Sequence, residues 1–326
     1  SHMIPGRRRW LLAAAALPAG AALPGCAGSG PAPTGAPVAT RAPDPIPPGM
    51  EEVPYVQTPQ TVVDAMLGLA GVRAGDRLLD LGSGDGRVVI GAARRFGVPG
   101  LGVELDPQLV ELSRSRARAA GVGELARFAV QDLFDTDLAS ATVITLYLLP
   151  DVNLALRPRL LRLAPGTRIV SHDWDMADWT PDRSLTVPAP GKPVGRLQQS
   201  TLHLWIVPAP LAGRWQGGLA GGRPDALTLD IGQRFQQLTI DWRLQDERLP
   251  GVPAQTRVEA RLNGDQASFA LGEAGRASLR LRNGVLEGEV ATAVGPRRWR
   301  AVRQGPAGAL PQPAASLARA TTRRAD

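Results

Sequence analysis

The stretch Leu78-Leu79-Asp80-Leu81-Gly82-Ser83-Gly84-Asp85-Gly86-Arg87 constrains this chain more than any other. Its first four residues read as a short buried strand, and Val88, Val89, Ala92 and Phe96 recur at helical spacing beyond the glycines. A strand, a glycine loop and a helix in that order aim backbone N–H groups and a helix N-terminus at a ligand, and the unit belongs to open α/β sheets. The dinucleotide fingerprint G-x-G-x-x-G uses its third glycine to pack helix against strand. Here the third glycine comes one residue early, at Gly86, and Arg87 stands where that pattern needs glycine. The spacing argues against a nicotinamide dinucleotide.

An acid, Asp80, also precedes the loop, and D-x-G-x-G-x-G resembles the loop of class I (seven-strand) S-adenosylmethionine (SAM) methyltransferases. The resemblance covers residues 51–208 and implies a Rossmann-like doubly wound sheet with SAM as cofactor. It sets Asp80, Gly82, Ser83 and Gly84 behind the cofactor's methionine end. The next strand, Leu101-Gly102-Val103-Glu104, closes on a carboxylate able to accept from both ribose hydroxyls. After a helix from Pro107 to about Gly121, a strand at Arg127–Val130 leads to Gln131-Asp132-Leu133. There Asp132 can accept from the adenine amino group and Leu133 can pack on the ring.

More closely, Pro54-Tyr55-Val56-Gln57-Thr58-Pro59 ahead of the loop resembles the lysine methyltransferases that act on the c-subunit of ATP synthase, and bacterial proteins of unassigned substrate. In that family the segment folds over the methionine end, which implies Tyr55 and Thr58 as cofactor contacts. The strand Ala141–Leu146 runs into Tyr147, whose position faces the methyl group because ligands sit beyond the strands' carboxyl ends. No Asn/Asp-Pro-Pro-aromatic loop follows, which argues against methylation of a base or of glutamine. Arg168–Ser171 reads as a further strand ending in His172-Asp173, with His172 open between a structural role and a general base. Methyl transfer from a sulfonium is an in-line displacement, so alignment supplies much of the acceleration and no catalytic residue is singled out. A lysine acceptor costs roughly 4.6 kcal/mol to hold neutral at pH 7, and desolvation beside a sulfonium lowers that.

After Thr201–Val207, a strand that closes the first domain, the texture turns all-β. Short alternating runs with Asn263-Gly264 and Asn283-Gly284 hairpin signals predict about eight strands over 209–303, a small barrel or sandwich serving as a binding or interaction module or as a stabilising cap.

Composition bears mainly on the ends. The net charge of +7 is concentrated in Arg7, Arg8, Arg9, Arg41, Arg319, Arg323 and Arg324, so the body is close to neutral and no basic stripe points to nucleic acid. One cysteine excludes a disulfide framework and a multi-cysteine metal site. Ser1-His2-Met3 resembles a cleaved tag. Arg7-Arg8-Arg9 before the apolar run Leu11–Leu23 reads as an export signal, and Leu23-Pro24-Gly25-Cys26 resembles a lipobox. Cys26 would then tether the chain to a membrane through a Pro/Gly/Ala-rich linker at 26–50, placing the enzyme in the periplasm or on a lipid anchor; an unused signal would leave it in the cytoplasm. Residues 304–326 read as a disordered tail. The methyl acceptor, protein or small molecule, stays open on sequence grounds, as does a non-catalytic SAM-binding lipoprotein.

Overall fold

A computed structural model describes residues 56–193, 197–245, 252–272, 275–292 and 295–306. The tag, the signal, the Cys26 lipobox and the 304–326 tail, save its first three residues, lie outside them, as does Tyr55.

The first half is a seven-stranded sheet in the order β3-β2-β1-β4-β5-β7-β6. Its strands are β1 (Leu78–Leu81), β2 (Gly100–Glu104), β3 (Ala126–Val130), β4 (Val143–Leu146), β5 (Arg168–His172), β6 (Arg183–Pro188) and β7 (Gln199–Ile206). The pairs β1–β2, β1–β4, β2–β3 and β4–β5 are parallel, and β7 runs antiparallel between β5 and β6. Strand order reverses between β1 and β4, the crevice where α/β sheets take ligands. Four helices connect the strands: α1 (Gln60–Leu69), α2 (Arg87–Phe96), α3 (Pro107–Ala119) and α4 (Pro150–Leu160).

Strand period explains why β1 and β4 are apolar almost throughout. Leu78, Val143 and Val170 face one core, with Val62, Val63, Met66 and Val89 of α1 and α2. Leu79, Leu81, Ile144, Leu146 and Ile169 face the other, with Leu156 and Leu160 of α4. Both sheet faces are covered, so both parities must be apolar.

The second half is a separate eight-stranded antiparallel sheet, order β11-β10-β9-β8-β15-β14-β13-β12, coiled into a near-barrel. It comprises β8 (Gly213–Leu219), β9 (Leu227–Arg234), β10 (Gln237–Leu244), β11 (Gln255–Arg261), β12 (Gln266–Leu271), β13 (Gly275–Arg282), β14 (Val285–Thr292) and β15 (Gly295–Gln304). Alternate residues turn inward around Trp215, Trp242 and Trp299, all three buried. The barrel docks on the first domain through the β9–β10 hairpin. Phe235 at its tip is buried in the α4-side core and stacks on Trp179 at 6.0 Å between centroids.

Candidate active site

The glycine loop is fixed from below. Gly82, Gly84 and Gly86 all hold positive φ, at 77°, 53° and 79°, a region that L side chains rarely occupy. The Gly82 and Ser83 amides both donate to the Val103 carbonyl at 2.9 Å, which ties the loop to β2. At Gly86 a Cβ would meet the Phe128 ring at 2.7 Å, so this glycine lets α2 close on its neighbours. The Ser83 side chain packs down against Gly102, where a Cβ would lie 2.6 Å from its Oγ, and the hydroxyl is buried without a hydrogen-bond partner.

Asp85 and Arg87, unassigned on sequence grounds, prove to be the loop's anchor. The fully buried Asp85 carboxylate takes Arg87 in a two-pronged pair, at 2.8 and 2.6 Å, and is also bonded by Arg116 of α3. Arg87 donates onward to the Thr58 carbonyl. The residue that breaks the dinucleotide pattern thus ties the 56–59 lead-in down beside the loop.

Two carboxylates close strands at the ligand crevice. Glu104 Oε2 accepts from the Gly84 amide at 3.1 Å and Oε1 from the Leu105 and Asp106 amides at 2.8 and 3.2 Å. A carboxylate offers about four lone-pair sites, so capacity remains for a diol. Asp80 lies directly across from Thr145 in the β1–β4 register and accepts its hydroxyl at 2.6 Å. Burial pushes Asp80 up to about 7, against the pull of that hydroxyl, and the Glu104 and Asp85 charges add to the rise. Asp132 Oδ1 accepts from the Phe134 amide at 2.8 Å, and Leu133 is buried within the α4-side core.

Beyond β4 and β5 a third cluster forms. Tyr147 stacks on His172 with centroids 3.9 Å apart. The His172 ring is fully buried between Ser200 Oγ, 2.7 Å from Nε2, and Thr58 Oγ1, 3.5 Å from Nδ1. Burial depresses it to about 4, the raising effect of Asp173 notwithstanding, which favours the neutral ring at physiological pH. The ring thus packs under Tyr147 and faces the Thr58 hydroxyl. The polar group of this cluster is the next residue, Asp173, which takes a positive φ of 64°. That turn aims Oδ1 at the Thr201 amide, 3.0 Å away, and leaves Oδ2 facing Tyr147 Oη at 3.5 Å and Lys192 Nζ at 2.5 Å. Asn153 braces the chain that follows by donating to the Trp174 and Asp175 carbonyls. The adjacency of Asp173 to His172 was visible in the sequence; its backbone twist was not.

Of the sequence-derived candidates, the structure brings Asp80, Gly82, Ser83, Gly84, Glu104, Asp132, Thr58 and Tyr147 to the carboxyl ends of the parallel strands, with Leu133 packed beneath. The donor set fits SAM. Glu104 ends β2 and Asp132 follows β3 at the carboxyl ends of the strands, with Asp80 buried beneath. Among the described residues no cation pairs with Glu104 or Asp132, and this acidic lining suits a cationic sulfonium better than a pyrophosphate. The positive-φ glycines carry no side chain over the loop, so a ligand can approach its backbone closely. When bound, SAM supplies the methyl group and its sulfur leaving group; Glu104 would hold the ribose and Asp132 the adenine edge. No cluster suited to a metal ion occurs among the described residues.

Comparison with known proteins agrees with this assignment. The family model of the ANTKMT methyltransferase domain matches residues 80–183. A protein-lysine N-methyltransferase of Saccharolobus islandicus is 40% identical over 137 residues, covering 41% of this chain and 85% of that protein. The mouse lysine N-methyltransferase of the ATP synthase c-subunit is 36% identical over 142 residues, 43% of this chain, and the match spans only 57% of the mouse protein. A solved RNA methyltransferase of Salinibacter ruber, in complex with S-adenosyl-L-homocysteine, is 51% identical, covering 47% of this chain and 94% of its own at a TM-score of 0.43. The β-barrel half lies beyond the family-model match, which ends at residue 183. On the strength of the archaeal match and the site that carries it, the chain belongs to the ANTKMT-type family of SAM-dependent methyltransferases.

Proposed function

We propose that this enzyme methylates the ε-amine of lysine in a protein acceptor. The observation that carries the reading is Asp173, a carboxylate fixed beside Tyr147 at the methyl end of the crevice and already holding a primary ammonium. A side chain that recognises an alkylammonium there recognises lysine. The relatives named as lysine methyltransferases support the same acceptor. No strong base is needed. Asp173 and Tyr147 Oη orient the amine, His172 keeps the Tyr147 ring in place, and the amine's proton departs to water once desolvation has lowered its affinity.

The test uses the purified chain with methyl-labelled SAM and a panel of lysine-bearing proteins, followed by hydrolysis to amino acids. Label in mono-, di- or trimethyl-lysine is expected. Label only in esters or small molecules would overturn the acceptor class.

We also propose that the enzyme works from a membrane tether at Cys26, outside the cytoplasm. The Arg7–Arg9 cluster, the Leu11–Leu23 run and Leu23-Pro24-Gly25-Cys26 support this, with the 26–50 linker giving reach. SAM is made in the cytoplasm, so a tethered enzyme must be exported loaded or supplied outside. Cell fractionation of the natural chain against Cys26→Ser decides the point: loss of membrane association in the variant is expected, and equal soluble fractions would sink it.

A further inference from the structure

The chain holds 36 arginines and a single lysine, Lys192. Arginine makes the other ion pairs of the interior and the domain interface, Arg168 to Asp76, Arg157 to Asp178 and Arg261 to Asp182 among them. For gripping a carboxylate the arginine fork is the better tool. At one place the chain departs from it, and that place is the methyl end of the active site.

Lys192 is built in. Its side chain is 8% exposed, with Nζ donating to Asp173 Oδ2 and to the Gln199 carbonyl at 2.9 Å. The surrounding loop is cross-braced. The Lys192 amide donates to the Ala189 carbonyl, Gln198 Nε2 to the Lys192 carbonyl at 3.1 Å, and the Gly191 amide to Gln198 Oε1 at 2.7 Å. Asp173 Oδ2, the atom that holds Nζ, is also the atom that faces Tyr147 Oη and lies 3.5 Å from His172 Nε2. One chemical property separates this cation from an arginine in the same seat. An ammonium can shed a proton and become a nucleophile, whereas a guanidinium stays protonated in proteins.

We propose that Lys192 is a methyl acceptor in cis, an automethylation site whose amine occupies the seat that the external lysine takes at Asp173. The inference rests on the lysine reading above. In the step, Nζ gives a proton to water and its lone pair attacks the methyl carbon of SAM. The N–C bond forms as the C–S bond breaks, and that electron pair stays on sulfur, leaving S-adenosylhomocysteine. Methylation carried to the third round removes every N–H that binds Asp173 and Gln199, so it would release the seat.

The full chain is incubated with SAM, and its intact mass and the peptide carrying Lys192 are followed alongside a lysine-bearing acceptor protein. Whole methyl increments confined to Lys192, at a rate independent of protein concentration, are expected; Lys192→Arg, which keeps the cation, should gain none. An unmodified Lys192 while the acceptor protein is methylated overturns this proposal alone. Neither being methylated, in protein shown to bind SAM, overturns the lysine reading beneath it. A rate that rises with protein concentration overturns transfer in cis.

A second readout needs no cofactor. With the seat vacated in Lys192→Ala, n-butylammonium should raise the melting temperature, and it should not do so in wild type or in Lys192→Ala with Asp173→Asn. No shift in Lys192→Ala would mean that Asp173 seats no ammonium. The mass measurement on wild type stands whether or not that variant folds.

Discussion

Asp80 and His172 lie on neighbouring parts of the same crevice and bend stability with pH in opposite directions. Asp80, raised to about 7 by burial and by nearby carboxylates, binds its proton more tightly folded than unfolded, so its contribution falls as pH rises from about 4 to 7. His172, depressed to about 4, binds its proton more tightly unfolded, so its contribution rises with pH from about 4 to 6.5. In the wild type these slopes largely cancel. Asp80→Asn keeps an acceptor for Thr145 and removes one slope. The variant should therefore gain up to about 3 kcal/mol between pH 4.5 and 7. Urea unfolding at the two pH values measures it, and a flat result would show that His172 is not held neutral. The same Asp80 couples to the cofactor. A cationic ligand favours the carboxylate, so SAM binding near pH 6.5 should release a proton from wild type and not from Asp80→Asn, as read by calorimetry in buffers of different ionisation enthalpy. Glu104→Gln leaves the loop amides an acceptor but removes the charge expected to hold the ribose diol. SAM affinity should drop by roughly tenfold to a hundredfold, in line with about 1.5–3 kcal/mol for charge-assisted bonds.

At the scale of elements, the strand–loop–helix unit was legible because each part obeys a local rule. The glycines must be glycines where φ is positive, the strands are apolar on both parities because both faces are covered, and α2 shows its period. Two elements carried no such signal. In α4, Pro150 stands in the first turn, where its missing N–H costs nothing, and Pro158 falls near the helix end, so the helix forms around two residues that ordinarily break one. The edge strand β6 alternates weakly and is mostly exposed, so tertiary pairing with β7 defines it. Long-range roles were hidden for the same reason. Nothing in G-x-G-D-G-R announces that Arg87 reaches back to Thr58 or that Arg116, on another helix, shares Asp85. Arg87→Met should expose that link. It leaves a buried carboxylate with one guanidinium withdrawn, and Arg87 itself is partly exposed, so a loss of about 2 kcal/mol is expected rather than the 3–5 of a fully buried pair. The lead-in would also be released, and SAM should bind roughly tenfold more weakly. Thermal unfolding and calorimetry on one sample separate the two effects; lost stability with unchanged affinity would show that the lead-in does not bear on the cofactor.

At the scale of the whole molecule, the barrel is joined to the methyltransferase domain by a plug. Phe235 is 3% exposed and sits at φ 53°, a conformation that strains a bulky residue. Its ring lies against Trp179 and under the Arg157 guanidinium, at 5.7 Å from the ring centroid. The next residue, Gln236, accepts from Trp179 Nε1 at 3.0 Å and donates to Asp182 Oδ2 at 2.6 Å, while Arg261 of β11 bonds Asp182 from the barrel side. These contacts hold the 174–182 segment, which begins one residue after Asp173, so the barrel braces the Asp173 side of the candidate site. Phe235→Ala keeps the strained backbone and empties the plug, and should cost about 3–5 kcal/mol. Phe235→Gly empties it too but fits a positive φ, and should be about 1 kcal/mol more stable than the alanine variant. Trp179 and Trp205 report on one domain, and Trp215, Trp242 and Trp299 on the other. Wild type should therefore unfold in a single transition by both fluorescence and calorimetry, and the alanine variant in two. A single transition in all three proteins, with stability unchanged, would mean that Phe235 does not couple the halves and that the barrel's hold on the active site lies in the polar contacts alone.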